Sequence, residues 1–418
     1  MNFETAVQYL LSLGHETLAM KLGLRNTELF LNALDNPERA FASVQIAGTN
    51  GKGSTAAMLD SICHAAGIRT GLYTSPHLVS ITERIRVSGV DISREDFAAC
   101  ATAVRDVSEQ LLRDKQMEAL PTFFEQLTAI ALLAFRHAGV ELAILETGLG
   151  GRLDSTTAAN ASIIAITQIA LDHQEYLGNT IASIAAEKAA IIRSGVRAVI
   201  GRQRYPEALD VLLQRCKETG VTPTLVVDDD SHSIEKQVAL ALRGRHQSEN
   251  AAIAIHLAEL LGETGFDIPH TAIVCGLETV QHPGRLELIP HRPAFLIDGA
   301  HNPAGAESLR TYLDEFAARP LTLVFAAMRD KQLEQIGEIL FPVADILMLT
   351  TVRNPRSATI TMLEPIAARY ARGQILKSDD SSTALQIALT HTPGEGMICV
   401  AGSLYLVGEM RPQILNLR

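Results

Sequence analysis

The sequence predicts an α/β protein: a P-loop-containing, doubly wound central domain followed by a smaller, Rossmann-like α/β C-terminal domain. Short apolar runs alternate with helical patterns along the chain, as in parallel sheets covered by helices. A glycine-rich turn, GTNGKGS, follows the first clear strand pattern. Three prolines in HPGRLELIPHRP (282–293) interrupt the alternation, which then restarts. These observations predict two domains, residues 1–288 and 289–418.

The strands and helices of the first domain are predicted from local patterns. VELAILETG (140–148) has a continuous apolar centre, which indicates a central, parallel strand buried on both faces. The helix before it is predicted because Phe123, Leu127, Ile130 and Ala134 recur at helical spacing. The other predicted strands are SVQIAG, IRTGLYT, SIIAITQIA, AVIGRQ and TLVVDDD, and GSTAAMLDSICHAAG is a helix that Gly67 ends.

The second domain repeats the same rhythm over ~130 residues, a usual size for one domain. Its predicted strands are AFLIDGAHNP, LTLVFAAM, ADILMLTT and MICVAGSLYL, and its clearest helix is AGAESLRTYLDEFAARP. The two halves therefore share an architecture without a short-period repeat.

Composition and charge argue against several classes of protein. Of the 418 residues, 47% are hydrophobic and 20% charged, which is typical of a globular protein. The net charge of -11 argues against a general nucleic-acid binder. No apolar run reaches the roughly 18 residues that span a bilayer, and the N-terminal segment does not have the pattern of a signal peptide. Five cysteines without a C-x-x-C pair are typical of a reducing compartment, so we expect a cytosolic protein without nucleic-acid or membrane partners.

The turn GTNGKGST (48–55) is predicted to bind phosphate. Its three glycines let successive backbone N–H groups point inward, and the helix N-terminus and Lys52 add positive charge. Ser54 or Thr55 would supply a hydroxyl near the phosphates or a metal. The Walker A spacing is not met, because Ile46 stands where the first glycine would be. An ordinary glycine-rich strand-to-helix turn is the alternative interpretation.

Polar side chains follow three other predicted strands. Glu146 ends VELAILETG, His173 lies in QIALDHQEYLG, and Ser75 lies in YTSPHL. Ligands of such sheets bind at the carboxyl ends of the strands, and a carboxylate there could ligate Mg²⁺. The alternatives are that Glu146 caps a neighbouring loop and that His173 is a hydrogen-bonded loop histidine.

Three further candidates are more ambiguous when each is taken alone. Lys188 in IAAEKAAIIRSG lies among alanines and isoleucines, and its spacing favours a surface lysine with a buried stem. The alternative is a desolvated amine that takes up carbon dioxide as a carbamate. Near the predicted boundary, Arg285 in HPGRLE could reach a phosphate, and Asp298 in IDGAHNPAG could accept a hydrogen bond from a ribose hydroxyl.

In this order, these segments resemble the folylpolyglutamate synthase and dihydrofolate synthase family of the Mur ligase superfamily. The resemblance extends from KLGLRN near the start to GSLYLVGEM near the end. The specific segments are GTNGKGST, TSPHL with ERIRV, PTFFEQLTA, ETGLGGRLDSTT, ALDH with LG, EKAAII, HPGRLE, DGAHNP and MRDK. The family's activity implies that ATP phosphorylates the carboxylate of dihydropteroate, or the γ-carboxylate of a folate. The amine of L-glutamate then displaces the phosphate and forms an amide.

The resemblance also implies roles for individual residues. ATP would be bound by Asn50, Gly51, Lys52, Gly53, Ser54, Thr55, Asn250, Arg285 and Asp298. Ser75, Glu146 and His173 would ligate magnesium, of which two ions are expected, and K⁺ would be a further cation. The catalytic residues would be Lys52, His173 and Lys188, the last carboxylated on its amine. The pterin substrate would contact Lys21, Leu22, Gly23, Thr122, Phe123, Phe124, Glu125, Leu153, Asp154 and Ser155, and glutamate would contact His301 and Ser403. The family also implies a monomer.

Three other functions remain open at this point. One is a folylpolyglutamate synthase without dihydrofolate synthase activity. Another is a cell-wall precursor ligase of the same superfamily, which TSPHL and GLGGRLD disfavour because they fit the folate branch. The third is a nucleotide-binding switch or regulatory ATPase, which would hydrolyse ATP without glutamate.

Overall fold

The computed structural model describes residues 1–14, 24–226 and 238–417, and the chain forms two compact units. The first comprises Met1–Leu240 and Glu249–Val280, and the second comprises Ala241–Ser248 and Gln281–Arg418. The sequence predicts a boundary after residue 288, whereas the C-terminal part of the second unit starts at Gln281.

The first unit is built on an eight-stranded sheet. Its strands are β1 (Ala42–Ala47), β2 (Thr70–Tyr73), β3 (Ile85–Val87), β4 (Val90–Asp91), β5 (Leu142–Glu146), β6 (Ile163–Ile166), β7 (Arg197–Ile200) and β8 (Thr224–Leu225). Their order is β4-β3-β2-β5-β1-β6-β7-β8. The six strands from β2 to β8 in this order are parallel, and β3 and β4 add an antiparallel edge. The central, parallel position predicted for VELAILETG is confirmed.

The first unit also contains helices, some packed on this sheet and others on neighbouring helices. They are α1 (Phe3–Ser12), α2 (Arg25–Ala33), α3 (Lys52–Ala65), α4 (Arg94–Arg113), α5 (Phe123–His137), α6 (Gln174–Leu177), α7 (Ile181–Ala189), α8 (Pro206–Thr219), α9 (His246–Glu263), whose first residues belong to the second unit, and α10 (His270–Thr279). Short 3-10 helices lie at Pro37–Ala40, Ile81–Arg84 and Ser155–Ala159. One core cluster joins Leu145 of β5 to Leu127 of α5, and another joins Ile164 of β6 to Ile184 of α7.

The second unit contains a six-stranded sheet. Its elements are β9 (Glu287–Ile289), β10 (Ala294–Ile297), α11 (Pro303–Phe316), β11 (Leu321–Phe325), α12 (Leu333–Leu340), a 3-10 helix (Phe341–Val343), β12 (Ile346–Thr350), α13 (Ile360–Tyr370), β13 (Gln374–Ser378), α14 (Ser381–His391), β14 (Met397–Ala401) and α15 (Leu404–Leu415). The strand order is β13-β12-β11-β14-β10-β9. β9 pairs antiparallel with β10, and the other pairs are parallel. The α/β fold predicted from the sequence is confirmed.

The strands that the pattern did not predict lie at or near sheet edges. Val90 and Asp91 of β4 are exposed, and an ion pair of 2.9 Å joins Arg86 Nε to Asp91 Oδ1. No residue of β13 is buried, so it does not show the continuous apolar run of a buried parallel strand. Of TLVVDDD, only Thr224–Leu225 form a strand within the described residues. Across the described ranges, no helix is long and apolar enough to cross a membrane.

Candidate active site

The loop between β1 and α3 has a backbone that only glycine accommodates at two positions. Gly48 has φ +149°, and a Cβ added there would lie 1.8 Å from Thr167 Oγ1. Gly51 has φ +88°, and its Cβ would lie 2.2 Å from Asn250 Oδ1. Gly51 is also the N-cap of α3, so no capping side chain competes with an anion for the first N–H groups of the helix. Asn250, which is predicted to bind ATP, thus lies beside the phosphate loop.

Hydrogen bonds to the residues directly after β6 hold this loop in position. The Thr49 N–H donates to the Gln168 carbonyl at 2.9 Å, and Thr167 Oγ1 donates to the Asn50 carbonyl at 2.7 Å. Lys52 Nζ donates to the Thr49 carbonyl at 3.2 Å, which holds the cation over the loop. Thr167 was not predicted from the sequence; the signal for it is a hydroxyl directly after the β6 strand.

Lys188 is buried beside the phosphate loop, with 5% of the residue exposed. Its Nζ donates a 2.7 Å hydrogen bond to the Gly48 carbonyl oxygen. The surface position favoured by its spacing is therefore wrong, because α7 packs this face into the core with Ile184. Burial lowers the pKa of Lys188 to about 7, with a further lowering by Lys52, while Asp172 and Asp154 act in the opposite direction.

Ser75 and Glu146 meet at the carboxyl ends of the adjacent strands β2 and β5. The Ser75 N–H donates to Glu146 Oε2 at 3.1 Å, and Glu146 is only 5% exposed. Mg²⁺ at a nucleotide is commonly held by one or two carboxylates together with phosphate oxygens, and a buried carboxylate with a neighbouring hydroxyl beside a phosphate loop fits that requirement. Within the described residues, no group of three or more His, Cys, Asp and Glu side chains could hold a metal by itself.

His173 follows β6, on the other side of β1 from Glu146. Its N–H donates to Asp172 Oδ1 at 2.8 Å, and its Nε2 lies 3.8 Å from Asp172 Oδ2. Asp172 is buried, whereas 32% of the His173 side chain is exposed. The sheet order therefore puts Ser75, Glu146, the phosphate loop and His173 at the ends of consecutive strands.

The segment Thr122–Glu125, predicted to contact the pterin, starts helix α5 with a capping box. Glu125 Oε2 accepts from the Thr122 N–H at 2.7 Å, and Thr122 Oγ1 accepts from the Glu125 N–H at 3.3 Å. Phe123 belongs to the hydrophobic core. The Phe124 ring lies against Gly148, where an added Cβ would be 2.4 Å from Cζ. Phe124 is thus the aromatic ring of this segment that borders the ETGLGG loop.

The segment Leu153–Ser155, also predicted to contact the pterin, is tied into its own loop. Asp154 Oδ2 accepts from the N–H groups of Gly148 and Leu149 at 2.9 Å each. Burial raises the pKa of Asp154, against the lowering effect of these hydrogen bonds. Ser155 Oγ lies 2.6 Å from Thr128 Oγ1, while Leu153 is half-buried. The remaining predicted pterin contacts, Lys21, Leu22 and Gly23, lie outside the described residues.

In the second unit, the Asp298 carboxylate holds the backbone next to two predicted site residues, Arg285 and His301. Its Oδ2 accepts from the Leu286 N–H and its Oδ1 from the Ala300 N–H, each at 2.8 Å. His246, which was not predicted as a site residue, lies close enough to Asp298 and Arg285 for their charges to act on it. Burial lowers the pKa of His246, Asp298 raises it and Arg285 lowers it. The signal was available, since this histidine begins the HQSEN segment that contains Asn250.

His301 and Ser403 lie at the carboxyl ends of the adjacent strands β10 and β14. His301 Nδ1 is 2.8 Å from the Gly299 carbonyl oxygen. Ser403 is 2% exposed and caps α15, its Oγ accepting from the Tyr405 N–H at 3.1 Å. Both predicted glutamate contacts therefore lie at the ligand-binding edge of this sheet, and their roles stay predictions.

Comparisons with known proteins match both parts of the chain. The Mur ligase middle domain model matches residues 46–203, and the Mur ligase, glutamate ligase domain model matches residues 284–404. The dihydrofolate synthase/folylpolyglutamate synthase of Bacillus subtilis is 31% identical over 96% of this chain and 97% of its own length. A probable bifunctional folylpolyglutamate synthase/dihydropteroate synthase of Haloferax volcanii is 32% identical over 98% of the chain, which spans 50% of that relative's length.

Solved structures show the same similarity. Escherichia coli FolC in complex with DHPP and ADP superposes with a TM-score of 0.87 at 29% identity, covering 99% of this chain and 98% of that one. Sequence identity and fold thus agree over nearly the whole length. The chain belongs to the dihydrofolate synthase/folylpolyglutamate synthase family of the Mur ligase superfamily.

Proposed function

We propose that this protein is an ATP-dependent ligase that joins L-glutamate to dihydropteroate, giving dihydrofolate, and to the γ-carboxylate of folates. The observation that carries the proposal is the phosphate loop at Gly48–Gly53, which lies between Glu146 on β5 and the buried amine of Lys188. The E. coli relative's complex with DHPP and ADP supports the same pair of substrate classes.

The chemistry requires activation of a carboxylate, which is a poor electrophile until one of its oxygens can leave. A carboxylate oxygen of the acceptor substrate attacks the γ-phosphorus of ATP, so that ADP leaves and an acyl phosphate forms. The glutamate amine attacks the acyl carbon, inorganic phosphate leaves, and the nitrogen loses a proton. Catalysis of phosphoryl transfer depends on positioning and on holding the charge of the transferred group.

In this proposal the loop residues bind the triphosphate through backbone N–H groups and Lys52. Ser75, Glu146 and His173 would hold Mg²⁺, which supplies positive charge to the phosphate oxygens when it is bound. Asn250, Arg285 and Asp298 would bind the nucleotide, with His301 and Ser403 on the glutamate side. We also propose two magnesium ions and a K⁺ ion in the complete site.

Lys188 is proposed to carry a carbamate in the active enzyme. A neutral amine attacks carbon dioxide and releases a proton, and the pKa of about 7 makes the neutral amine available near neutral pH. The product is an anion in the place of a cation, which can face a metal and the acyl-phosphate site. Intact mass measured under mild conditions should show the added carboxylate. Short carboxylic acids should restore activity to Lys188→Ala.

We propose a cytosolic monomer. All five cysteines lie in the described residues as free thiols, and four of them are buried, which agrees with a reducing compartment. Sedimentation velocity of the purified protein tests the monomer directly, since a dimer would sediment as a species of twice the mass.

The direct test of function is phosphate release by the purified protein. Dihydropteroate with glutamate and tetrahydrofolate with glutamate should each support release, whereas ATP alone should not. Release in neither mixture would contradict the ligase, and release only with tetrahydrofolate would indicate a folylpolyglutamate synthase alone. With ¹⁸O in the acceptor carboxylate, one label should appear in the released phosphate. Unlabelled phosphate would exclude the acyl phosphate.

A further inference from the structure

The structure assigns a positioning role to Glu287 and Arg411: together they fix the turn that carries Arg285, so that its guanidinium is held for the nucleotide. This inference rests on the proposed function, because it takes Arg285 as a nucleotide contact. Arg411 Nη2 donates to Glu287 Oε1 at 2.8 Å, and Arg411 Nε donates to Glu287 Oε2 at 2.9 Å. We call this paired contact the Glu287–Arg411 clamp.

The clamp has the geometry of a fixed contact rather than a surface ion pair. Its two parallel N–H···O bonds form the fork that gives arginine–carboxylate pairs their directional specificity. The side chains of Arg411 and Glu287 are only 24% and 20% exposed, so water screens them less than it screens exposed pairs. Arg411 lies on α15 and Glu287 starts β9, so the clamp joins the last helix to the edge strand.

The clamp holds the turn on one side of Arg285, and Asp298 holds it on the other side. Glu287 Oε2 also accepts from the Gly284 N–H at 2.9 Å, and the Gly284 carbonyl accepts from the Gly299 N–H at 2.9 Å. On the other side, the Leu286 N–H donates to Asp298 Oδ2 at 2.8 Å. Arg285 is therefore enclosed between two residues whose backbone groups are bonded to neighbouring elements.

The backbone conformation at Leu286 indicates that the contacts around the turn fix it. Leu286 has φ +45°, in the left-handed region that a leucine rarely adopts, and its residue is 1% exposed. Such conformations persist where surrounding contacts over-determine them, and they cluster at functional sites. The Arg285 guanidinium lies beside Gly299, which follows β10, because a Cβ added to Gly299 would lie 3.3 Å from its Nη1.

A merely structural role for the clamp makes a different prediction. If the clamp only attached α15 to the sheet, its loss would lower the stability of the protein. It would also raise the KM of every substrate and lower kcat together. A positioning role instead predicts weaker nucleotide binding with the glutamate KM unchanged. It also predicts that removing Glu287 has little further effect on ADP binding once Arg285 itself is gone.

The experiment compares Glu287→Ala, Glu287→Gln and Arg411→Lys with wild type by calorimetric titration of ADP and by steady-state KM for ATP and glutamate. We expect Glu287→Ala to weaken ADP binding and raise the ATP KM about tenfold, since small displacements of a positioning group have effects of this size or larger. Glu287→Gln, which keeps an acceptor for the Gly284 N–H, should lose less ADP affinity. The control is Asp314→Asn, which removes an exposed pair with Arg310 (Nε–Oδ2 2.7 Å) in the same unit and should change neither value.

A double-mutant cycle decides the mechanism. In an Arg285→Ala background, Glu287→Ala should weaken ADP binding by less than a further twofold, because the effects of coupled residues are non-additive. Fully additive effects on ADP binding, or unchanged ADP binding in folded Glu287→Ala, would overturn the positioning role of the clamp. If Glu287→Ala does not fold, the same comparison uses Glu287→Gln and Arg411→Lys. Wild type that binds ADP but forms no amide overturns the proposed function, and the clamp is still decided by ADP affinity.

Discussion

The side-chain amine of Lys188 donates a 2.7 Å hydrogen bond to the carbonyl oxygen of Gly48, which ties α7 to the first residue of the phosphate loop. Both the amine and the loop backbone are thereby fixed at the carboxyl end of β1. Because burial lowers the pKa of Lys188 to about 7, roughly half of these amines are neutral at that pH. Loop geometry and the reactivity of the lysine are therefore linked.

Replacement of Lys188 by Met should change how stability depends on pH. The pKa of Lys188 is about 7 in the folded state against 10.5 for an ordinary lysine. Between these values the unfolded chain binds more protons, so wild-type stability rises with pH. The full pKa shift corresponds to a loss of about 4–5 kcal/mol in the unfolding free energy of the wild type near pH 7. The variant avoids this loss, but it also loses the hydrogen bond to Gly48, which costs it about 1 kcal/mol. Lys188→Met should therefore be more stable than wild type near pH 7, and this advantage should shrink toward pH 10.5.

Urea unfolding at several pH values in buffers free of carbon dioxide measures this difference. The matched control is Lys217→Met on α8, where the lysine is exposed and the stability difference should not vary over the same window. Parallel stability curves for wild type and Lys188→Met would contradict the burial argument.

Substitution of Gly48 by Ala should abolish nucleotide binding. An added Cβ would lie 1.8 Å from Thr167 Oγ1, so the loop or β6 must shift. Gly67, with φ +80°, is the control, because an added Cβ meets no described atom within 4 Å there. We expect Gly67→Ala to cost about 1 kcal/mol through backbone strain, and Gly48→Ala to cost more than about 3 kcal/mol. Denaturant unfolding and ADP titration measure both, and equal losses would show that sterics at Thr167 do not matter.

The sequence was sufficient to predict the sheet and the edge at which the candidate site residues lie. Glu146 and the phosphate loop each follow a strong apolar run, and the carboxyl ends of parallel strands meet at one edge. The neighbouring positions of β5 and β1 then follow from the observed order. Strand existence was thus predictable because burial on both faces leaves a continuous apolar pattern.

Burial depth and hydrogen-bond partners could not be predicted in the same way. The spacing around Lys188 shows apolar neighbours but not whether the helix turns its lysine inward, which depends on packing of α7. For Asp298, the motif predicted a ribose contact, but the structure adds backbone bonds to Leu286 and Ala300. Such bonds depend on the three-dimensional path of the turn, and residue types alone do not specify it.

Replacement of Asp154 by Asn should destabilise the first unit. Asp154 accepts four hydrogen bonds, from the N–H groups of Gly148, Leu149 and Thr156 and from the Thr156 hydroxyl. An asparagine turns an NH₂ group toward at least one of these donors, so we expect a loss of about 2–4 kcal/mol. The control is Asp380→Asn, which caps α14 on the surface through Thr383 and should change stability little, because asparagine is also a good N-cap. Thermal unfolding of both variants measures the difference, and similar melting temperatures would refute it.

Glu146→Gln should raise the magnesium requirement while leaving the fold intact. The glutamine keeps an oxygen that can accept the 3.1 Å bond from the Ser75 N–H, but it removes the charge that a hard cation prefers. We expect the Mg²⁺ concentration for half-maximal ADP binding to rise about tenfold or more, as for other changes at metal sites. Glu141→Gln is the matched control, because Glu141 lies just before the other end of β5 and accepts a similar 3.0 Å bond from the Arg69 N–H. Titration of ADP at a series of Mg²⁺ concentrations gives the comparison for both variants. An equal rise in the two would show a general effect of lost negative charge, since of the two only Glu146 stands at the carboxyl end beside the phosphate loop.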